Sequence, residues 1–291
     1  MKLADINIRD PFILMENGRY YMYGTRAKNT WESQPLQNLG FDVYVSDNLE
    51  DWSEPKEIFS YKDGFWGTTQ YWAPEVHKYN GKFYMLATFK GDAYHRGTAI
   101  LECDTPDGTF KEHSNGAVTP SDWECLDGTL YVEDGVPYII FCHEWMQIKD
   151  GTVCARQLSP DLREAVGEPI LLWRASDAVW KHDIGNGEGC FVTDGPFIIK
   201  KDKELISIWS SFYKGEYCEA IARSSNGRLD GEWTIDERLI YERDGGHGMV
   251  FADKDGSSFF VFHAPNDTPN ERPCIKKISI DTLFSNNKYF I

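Results

Sequence analysis

A recurring phrase constrains the fold of this chain more than any other feature of its sequence. Each copy begins with a short knot containing Asp, Glu or His, and continues with an apolar run, a turn and an aromatic-rich run. The copies recur every ~50–65 residues, which is enough for one four-stranded blade of a β-propeller. The five knots are Asp10-Pro11-Phe12-Ile13, Trp72-Ala73-Pro74-Glu75, Asp127-Gly128-Thr129-Leu130, Asp194-Gly195-Pro196-Phe197 and His247-Gly248-Met249-Val250. We therefore predict an all-β fold, a five-bladed β-propeller that occupies residues 1–291 as a single domain, with a β-sandwich as the alternative.

Turn residues between the apolar runs support this prediction. Asn17-Gly18, Asn80-Gly81 and Asp134-Gly135 each separate two strand-like runs, and Lys254-Asp255-Gly256 has the same place in the fifth copy. Such dipeptides tolerate the positive φ angles of tight β-hairpin turns. Helical periodicity is nearly absent. Each repeat therefore reads as strand, turn, strand, loop, strand, turn, strand.

Aromatic residues close several of the repeats. Trp52, Phe110 and Trp233 each follow the turn-prone text at the end of a copy, where we expect them to pack between neighbouring blades. The chain contains 10 Trp, 15 Tyr and 17 Phe. Most of these suit the pleated, half-buried surfaces of strands, and we expect only a few to lie at a binding site.

Charge and cysteine usage limit the partners and the compartment. The formal net charge is −16 and no basic stripe is visible, which argues against nucleic acid and anionic membrane as partners. The seven cysteines contain no Cys-x-x-Cys pair, so the sequence does not indicate a zinc site. Their odd number and scattered spacing favour a reducing compartment. With no apolar leader at the N-terminus, we expect a cytoplasmic protein, or a secreted one if a leader has been removed.

Radial repetition would bring the acidic and histidine residues of the knots to one central axis. The residues are Asp10, Glu75, Asp127, Asp194 and His247. Alone, Asp10 before a proline is an ordinary turn residue. Carboxylates that converge on an axis repel one another and lose solvation, which moves their pKa values apart. Paired carboxylates of this kind suit glycoside hydrolysis, and a wide separation across a channel favours inversion over retention.

Five motifs in register resemble glycoside hydrolase family 43 over about residues 5 to 275. They are Arg9-Asp10-Pro11-Phe12, Tyr71-Trp72-Ala73-Pro74-Glu75, Asp127-Gly128, Asp194-Gly195-Pro196-Phe197 and Gly246-His247-Gly248. The resemblance implies a five-bladed propeller of inverting enzymes that act on arabinofuranosides, xylosides and galactosides of an oligosaccharide substrate. It also implies that Asp10 is the general base, that Asp127 tunes and orients the acid, and that Asp194 occupies the position of the general acid.

The acid position departs from the family pattern, because the family usually has Glu-Gly-Pro where this chain has Asp194-Gly195-Pro196. Aspartate is shorter by one methylene, roughly 1.5 Å, and a misplacement of that order can cost ~100-fold in rate. Three interpretations follow. Asp194 is the acid in a pocket adjusted to its reach, another acid such as Glu75 or Glu144 protonates the substrate, or the chain is a weakly active or sugar-binding relative.

Four further residues are candidates for substrate or metal binding. Trp72 could be a platform for a sugar face or could pack within a blade, and Glu75 could accept sugar hydroxyls. Arg272 is similar to a late arginine that reaches the pocket in some relatives, with a surface ion pair as the alternative. The resemblance also implies that His247 lies near a hydrated calcium ion, as a minor ligand. We expect no other cofactor. Neither a Gly-x-Ser-x-Gly nucleophile motif nor a phosphate-binding glycine loop occurs.

Overall fold

The computed structural model describes residues 1–31 and 35–285. Their strands form five antiparallel sheets, each built from strands that follow one another along the chain. This confirms the predicted all-β, five-bladed β-propeller. Four sheets have four strands and the fifth has three. Because each sheet is a simple meander, every blade places its first strand at the inner edge.

The strands are numbered in chain order, blade by blade. Blade one comprises β1 (Ile8–Glu16), β2 (Arg19–Arg26), β3 (Gly40–Ser46) and β4 (Lys56–Ser60). Blade two comprises β5 (Thr69–Tyr79), β6 (Lys82–Gly91), β7 (Tyr94–Cys103) and β8 (Lys111–Ala117). Blade three comprises β9 (Cys125–Glu133), β10 (Val136–His143), β11 (Thr152–Leu158) and β12 (Ala165–Arg174). Blade four comprises β13 (Asp194–Lys201), β14 (Glu204–Tyr213), β15 (Glu216–Ser224) and β16 (Trp233–Ile235). Blade five comprises β17 (Gly246–Ala252), β18 (Ser258–Ala264) and β19 (Arg272–Ile278).

Helices are few and short, as the sequence indicates. The α-helices are α1 (Trp145–Ile148) and α2 (Ile280–Phe284), and the 3-10 helices are Leu3–Asp5, Ala27–Asn29, Leu36–Asn38 and Ala175–Asp177. In the described part of the chain, no helix has the length and apolar character needed to cross a membrane.

Tight turns join the first two strands of blades one, two and three. In blade one, Glu16 pairs with Arg19, so the loop is the dipeptide Asn17-Gly18, with φ angles of 52° and 77°. Asn80-Gly81 and Asp134-Gly135 have the same register and the same left-handed conformation. The three hairpins predicted from these dipeptides are therefore confirmed. The turn chemistry sets the register, which in turn decides which side chains face the neighbouring blade.

The apolar core lies mainly between neighbouring blades. Trp52 and Phe110 belong to a cluster that joins blades one, two and five, and Trp233 belongs to one that joins blades three and four. All three side chains are buried, as the sequence predicts. Phe110 also donates its backbone N–H to Ile58 O of the preceding blade at 2.8 Å. Full burial of a large apolar side chain contributes roughly 1.5–3 kcal/mol, so these residues hold adjacent blades together.

The ring closes without a shared strand, through contacts between the N-terminal segment and blade five. Asn7 Nδ2 donates to Pro269 O at 2.6 Å and to Glu271 O at 3.1 Å. Arg9 Nη1 forms an ion pair with Glu271 Oε1 at 3.1 Å. Arg272 Nε donates to Ala4 O at 2.9 Å. The structure thus places Arg272 in the ring closure and not in the pocket that the sequence comparison suggested for it.

Candidate active site

Each inner strand carries a β-bulge at the same point, and one residue of each bulge has a left-handed backbone. We call these the bulge residues: Asp10 (φ 54°), Ala73 (45°), Asp127 (56°), Gly195 (52°) and His247 (53°). The register of every first strand against its second strand shifts at this point. A positive φ is costly for a residue with a side chain. Strain repeated at one radius of the ring indicates a functional constraint.

The bulge residues show that Asp194 and Glu75 are not at the same position of their repeats as Asp10, Asp127 and His247. Asp10, Asp127 and His247 are themselves bulge residues, but Asp194 lies one position before Gly195. Glu75 lies two positions after Ala73. Successive side chains of a strand point to opposite faces. Asp194 therefore approaches the axis from a different backbone position than Asp10 and Asp127.

A cavity of about 650 Å³ lies beside the bulge residues. Its walls bring together four residues that the sequence singled out, Asp10, Asp127, Asp194 and His247. Trp72 and Glu144 also line it, whereas neither Glu75 nor Arg272 occurs among its described lining residues. The cavity is large enough for a sugar residue and its neighbours. The three aspartates of the knots that line it come from blades one, three and four, as the repeat pattern predicts.

Asp10 is built to stay ionised. Its Oδ1 lies 3.2 Å from His247 Nδ1 and 3.5 Å from Arg9 Nε, and its Oδ2 accepts the hydroxyl proton of Thr25 at 2.6 Å. Burial favours the neutral form, but the charges of His247 and Arg9 outweigh it and lower the pKa of Asp10 to about 2. A buried, ionised carboxylate in a sugar-sized cavity can accept a proton.

Asp127 and Asp194 are built to hold a proton. Burial, and then the carboxylate of Asp10, raise the pKa of Asp127 to about 8, although Gly195 N–H donates to its Oδ2 at 3.0 Å. Burial, and then Asp127, raise the pKa of Asp194 to about 7, against a hydrogen bond from the Tyr217 hydroxyl at 3.0 Å. The two carboxyl groups form a coupled pair that keeps at least one proton near neutral pH.

His247 connects the three acids. Its Nδ1 lies 3.2 Å from Asp10 Oδ1 and 3.8 Å from Asp127 Oδ2. Its ring also packs against Gly195, the residue that follows Asp194. His247 therefore lies between Asp10 and Asp127 and against the residue that follows Asp194.

A second histidine lies behind Asp10 in a defined protonation state. His263 is fully buried, and its Nδ1 accepts the backbone N–H of Asp10 at 3.1 Å, so the ring proton is on Nε2. Burial, and then the charge of Arg9, lower the pKa of His263 to about 3. The 3.6 Å approach of His263 Nδ1 to Asp10 Oδ1 is therefore a contact of a neutral ring and not an ion pair.

Asn266 faces the cavity with a fixed amide orientation. Its Oδ1 accepts a proton from His263 Nε2 at 3.2 Å and another from Arg9 Nη2 at 3.1 Å. Two donors on the oxygen leave the Nδ2 hydrogens directed away from them. No described residue accepts from Nδ2, and Asn266 lines the cavity beside Asp10. It is thus an additional candidate for substrate binding.

Another part of the cavity wall is formed by Trp72 and by the buried ion pair of Arg96 with Glu144. The guanidinium of Arg96 lies over the Trp72 ring at 4.7 Å, and Trp31 meets the same ring edge-on at 5.1 Å. Arg96 also pairs with Glu144, one of the alternative acids. One face of Trp72 is therefore already covered by a cation. Trp31, which lines the cavity and is 66% exposed, is the freer aromatic platform.

Glu75 does not occur among the described residues that line the cavity. It is buried, and its Oε2 is 2.9 Å from His77 Nε2. It contributes to the raised pKa of Asp127 through its charge. Contact of Glu75 with sugar hydroxyls stays a prediction.

Several site residues carried no usable signal in the sequence. Thr25, Tyr217, Glu219, His263 and Asn266 lie on outer strands or loops, where single polar residues are common. Arg9 stood in a quoted motif without an assigned role. Only their contacts within and between the blades show what these residues do.

The residues around His247 do not by themselves make a metal site. Within residues 1–31 and 35–285, no group of three or more His, Cys, Asp or Glu side chains could hold a metal ion. Calcium prefers six to eight oxygen ligands. The calcium ion that the family resemblance implies near His247 stays a prediction.

The cysteines form no disulfide: all seven are free, and five of them are buried. This agrees with their use as small apolar residues.

Comparison with known proteins identifies relatives along nearly the whole chain. The family model described as glycosyl hydrolases family 43 matches residues 4–282, which confirms the resemblance found in the motifs. The crystal structure of endo-arabinase from Bacteroides thetaiotaomicron VPI-5482 is 38% identical, with a TM-score of 0.87, over 96% of this chain and 97% of that chain. A thermostable family-43 glycoside hydrolase is 28% identical, with a TM-score of 0.80, over 94% and 90% of the two chains.

A further relative matches only in part. Extracellular endo-α-(1→5)-L-arabinanase 1 from Bacillus subtilis (strain 168) is 24% identical over 154 residues, which is 49% of this chain. The match spans 45% of that relative's length.

Proposed function

This chain belongs to glycosyl hydrolases family 43 and is a glycosidase, and from that premise we propose that it hydrolyses α-1,5-linked L-arabinofuranosyl oligosaccharides with inversion. The linkage is suggested by two relatives, an endo-arabinase and an endo-α-(1→5)-L-arabinanase. Xylosides and galactosides are the other substrates that the family resemblance implies.

One observation carries the proposed mechanism: a single cavity brings together the carboxyl groups of Asp10, Asp127 and Asp194. Their surroundings lower the pKa of Asp10 and raise the pKa values of Asp127 and Asp194. Glycosidases need one group of each kind. In this arrangement Asp10 is the base, Asp194 is the acid, and Asp127 raises the pKa of Asp194.

In the proposed step, Asp10 accepts a proton from a water molecule as the water oxygen forms a bond to the anomeric carbon. The bond from that carbon to the leaving oxygen breaks, and the leaving oxygen takes the proton of Asp194. Attack on the face opposite the leaving group inverts the anomeric configuration.

The experiment has two parts. The purified protein is assayed on linear arabinan oligosaccharides and on a panel of nitrophenyl glycosides, and the first-formed anomer is identified by NMR. We expect turnover of the arabinofuranosyl substrates and an inverted product. A retained configuration would reject the assignment of Asp10 as base.

Substitutions then separate the base from the acid. Asp10→Asn should lower kcat by several orders of magnitude on every substrate, because no group accepts the proton of water. Asp194→Asn should do so only on substrates with poor leaving groups, because a good leaving group departs without a proton. Asp255→Asn, at the exposed hairpin of blade five, is the matched control. Equal losses for both leaving groups in Asp194→Asn would exclude it as the acid.

A second candidate function is sugar binding with little hydrolysis. The observation in its favour is the aspartate at the acid position, which has a shorter reach than glutamate by roughly 1.5 Å. Calorimetry with arabinan oligosaccharides would then show binding without turnover. A large gain of activity in Asp194→Glu would support this function, and a loss would support a cavity built for aspartate.

A further inference from the structure

One position recurs on the second strand of every blade, opposite the residue that precedes the bulge residue. The five occupants are Thr25, Thr88, Cys142, Ser210 and His263, which pair with Arg9, Trp72, Leu126, Asp194 and Gly246. We call this the support position. All five occupants are buried.

In four blades the support residue accepts the backbone N–H of the next blade's bulge residue. Thr25 Oγ1 accepts from Ala73 N at 2.7 Å, and Thr88 Oγ1 accepts from Asp127 N at 2.9 Å. Ser210 Oγ accepts from His247 N at 2.6 Å. His263 Nδ1 closes the circle by accepting from Asp10 N at 3.1 Å. The strained bulges are therefore held by one hydrogen bond each from the neighbouring blade.

Blade three is the exception. Its support residue is Cys142, and thiols are weak acceptors. The N–H of Gly195, which would bond there, donates instead to Asp127 Oδ2 at 3.0 Å. Among the described residues, Cys142 has no hydrogen bond to a bulge residue.

Two support residues also donate their hydroxyl proton to a carboxylate of their own blade. Ser210 donates to Glu219 Oε2 at 2.8 Å. Thr25 accepts from Ala73 N and donates to Oδ2 of Asp10, which is a bulge residue, at 2.6 Å. Thr25 is 1% exposed, so water does not compete for either bond.

Asp10 and Asp127 then form a natural comparison. Both are bulge residues, both are buried, and they differ in the support residue of their own blade, Thr25 against Cys142. Asp10 receives a short hydroxyl bond together with the charges of His247 and Arg9. Asp127 receives a backbone amide and faces the negative charge of Asp10.

We propose that Thr25 is a positioning residue for hydrolysis, which fixes the orientation of the Asp10 carboxylate and ties it to the backbone of blade two. The inference rests on the proposed function, in which Asp10 is the general base. Thr25 acts only through Asp10, since it does not occur among the described residues that line the cavity.

The test uses Thr25→Val and Thr25→Ser, with Cys142→Ala as the control at the equivalent position of blade three. Valine keeps the shape and removes both hydrogen bonds. We expect Thr25→Val to lower kcat by at least ~10-fold with KM within about twofold, because a misplaced catalytic group loses rate and not affinity. Thr25→Ser should recover most of the rate. Cys142→Ala should keep the kcat and KM of the unmodified protein.

A second variant distinguishes a loss of positioning from a folding defect. Thr25→Cys copies the support residue that blade three already accommodates, so it is expected to fold and to show the same loss of kcat. Thermal unfolding of all four variants checks that they are folded at the assay temperature.

The outcomes are distinguishable from failure of the proposed function. An unmodified protein without hydrolytic activity, or an active Asp10→Asn variant, would refute the proposed function itself. An active protein with an inactive Asp10→Asn, and with Thr25→Val and Thr25→Cys at full kcat, would overturn the role of Thr25. A loss in Cys142→Ala as large as that in Thr25→Val would also overturn it.

Discussion

The ring of His247 lies directly against the α-carbon of Gly195. A Cβ atom on Gly195 would come within 2.8 Å of two ring carbons of His247. Gly195 also has a φ of 52° and donates its N–H to Asp127. The glycine after Asp194 is therefore required twice, once for its backbone conformation and once for the close approach of a ring from the next blade.

We expect Gly195→Ala to lower activity strongly, because the added methyl group must displace His247 from its place between Asp10 and Asp127. Gly135→Ala is the matched control, since Gly135 has a φ of 83° and nothing within 4 Å of a Cβ. Both variants incur the left-handed penalty of about 1 kcal/mol, but only Gly195→Ala should lose kcat. Kinetics and thermal unfolding of the two variants measure the difference. Equal kcat values would contradict the contact's importance.

Asp127→Asn should move the alkaline limb of the kcat profile to lower pH. Asp194 works in its protonated form, and the carboxylate of Asp127 raises its pKa. An amide removes that repulsion, so the pKa of Asp194 falls and the acid loses its proton at lower pH. Kinetics between pH 5 and 9 check the shift, with Asp134→Asn on the same hairpin as the control. An unchanged or raised limb would show that Asp127 does not tune Asp194.

Glu219→Gln should stabilise the protein at alkaline pH. Glu219 is fully buried beneath His247, where its Oε2 accepts from Ser210 Oγ at 2.8 Å and from Gly248 N at 3.1 Å. Burial raises its pKa to about 8. The folded state thus holds a proton that the unfolded state releases above its ordinary pKa of 4.5, and stability falls as the pH rises from 4.5 towards 8.

Glutamine keeps an acceptor at this place and cannot ionise. The free energy of unfolding of Glu219→Gln, relative to the unmodified protein, should therefore increase by roughly 3–4 kcal/mol between pH 5 and pH 8. Urea unfolding at the two pH values measures this, with exposed Glu204→Gln as the control. A pH-independent difference would mean that Glu219 does not hold the proton.

Asn266→Asp should raise KM more than it lowers kcat. The Nδ2 hydrogens of Asn266 are the donors that its hydrogen-bonded Oδ1 leaves for a ligand, and a carboxylate would offer none. Loss of a hydrogen bond to a bound hydroxyl typically costs about 1 kcal/mol or more, so we expect KM to rise ~5-fold or more. Asn270→Ala, in the same loop but exposed, should leave both constants unchanged. A lower kcat with an unchanged KM would instead show that Asn266 acts by holding Arg9 and does not bind the substrate.

The five blades and their hairpins follow from local features of the sequence. Asn17-Gly18 selects a left-handed two-residue turn whatever surrounds it, and the alternation of apolar and polar residues selects strands. A repeat period long enough for four strands then implies a ring. The convergence of Asp10, Asp127 and His247 on one cavity could be predicted in the same way, because equivalent points of every blade approach the axis. Asp194 also reaches the cavity, but from the position before the bulge residue, which the repeat pattern did not show.

Tertiary structure alone decided what each polar residue does. Arg272 lies in the ring closure, where it bonds the N-terminal segment. Glu75 pairs with His77 of its own strand and does not occur among the described residues that line the cavity. Asp10 and Asp127 occupy the same bulge position, yet the pKa of Asp10 is lowered and the pKa of Asp127 is raised. That difference arises from burial and from charges and donors such as His247, Arg9 and Thr25. Turns and strands depend on neighbours along the chain, whereas protonation depends on neighbours in space, which a repeat pattern does not specify.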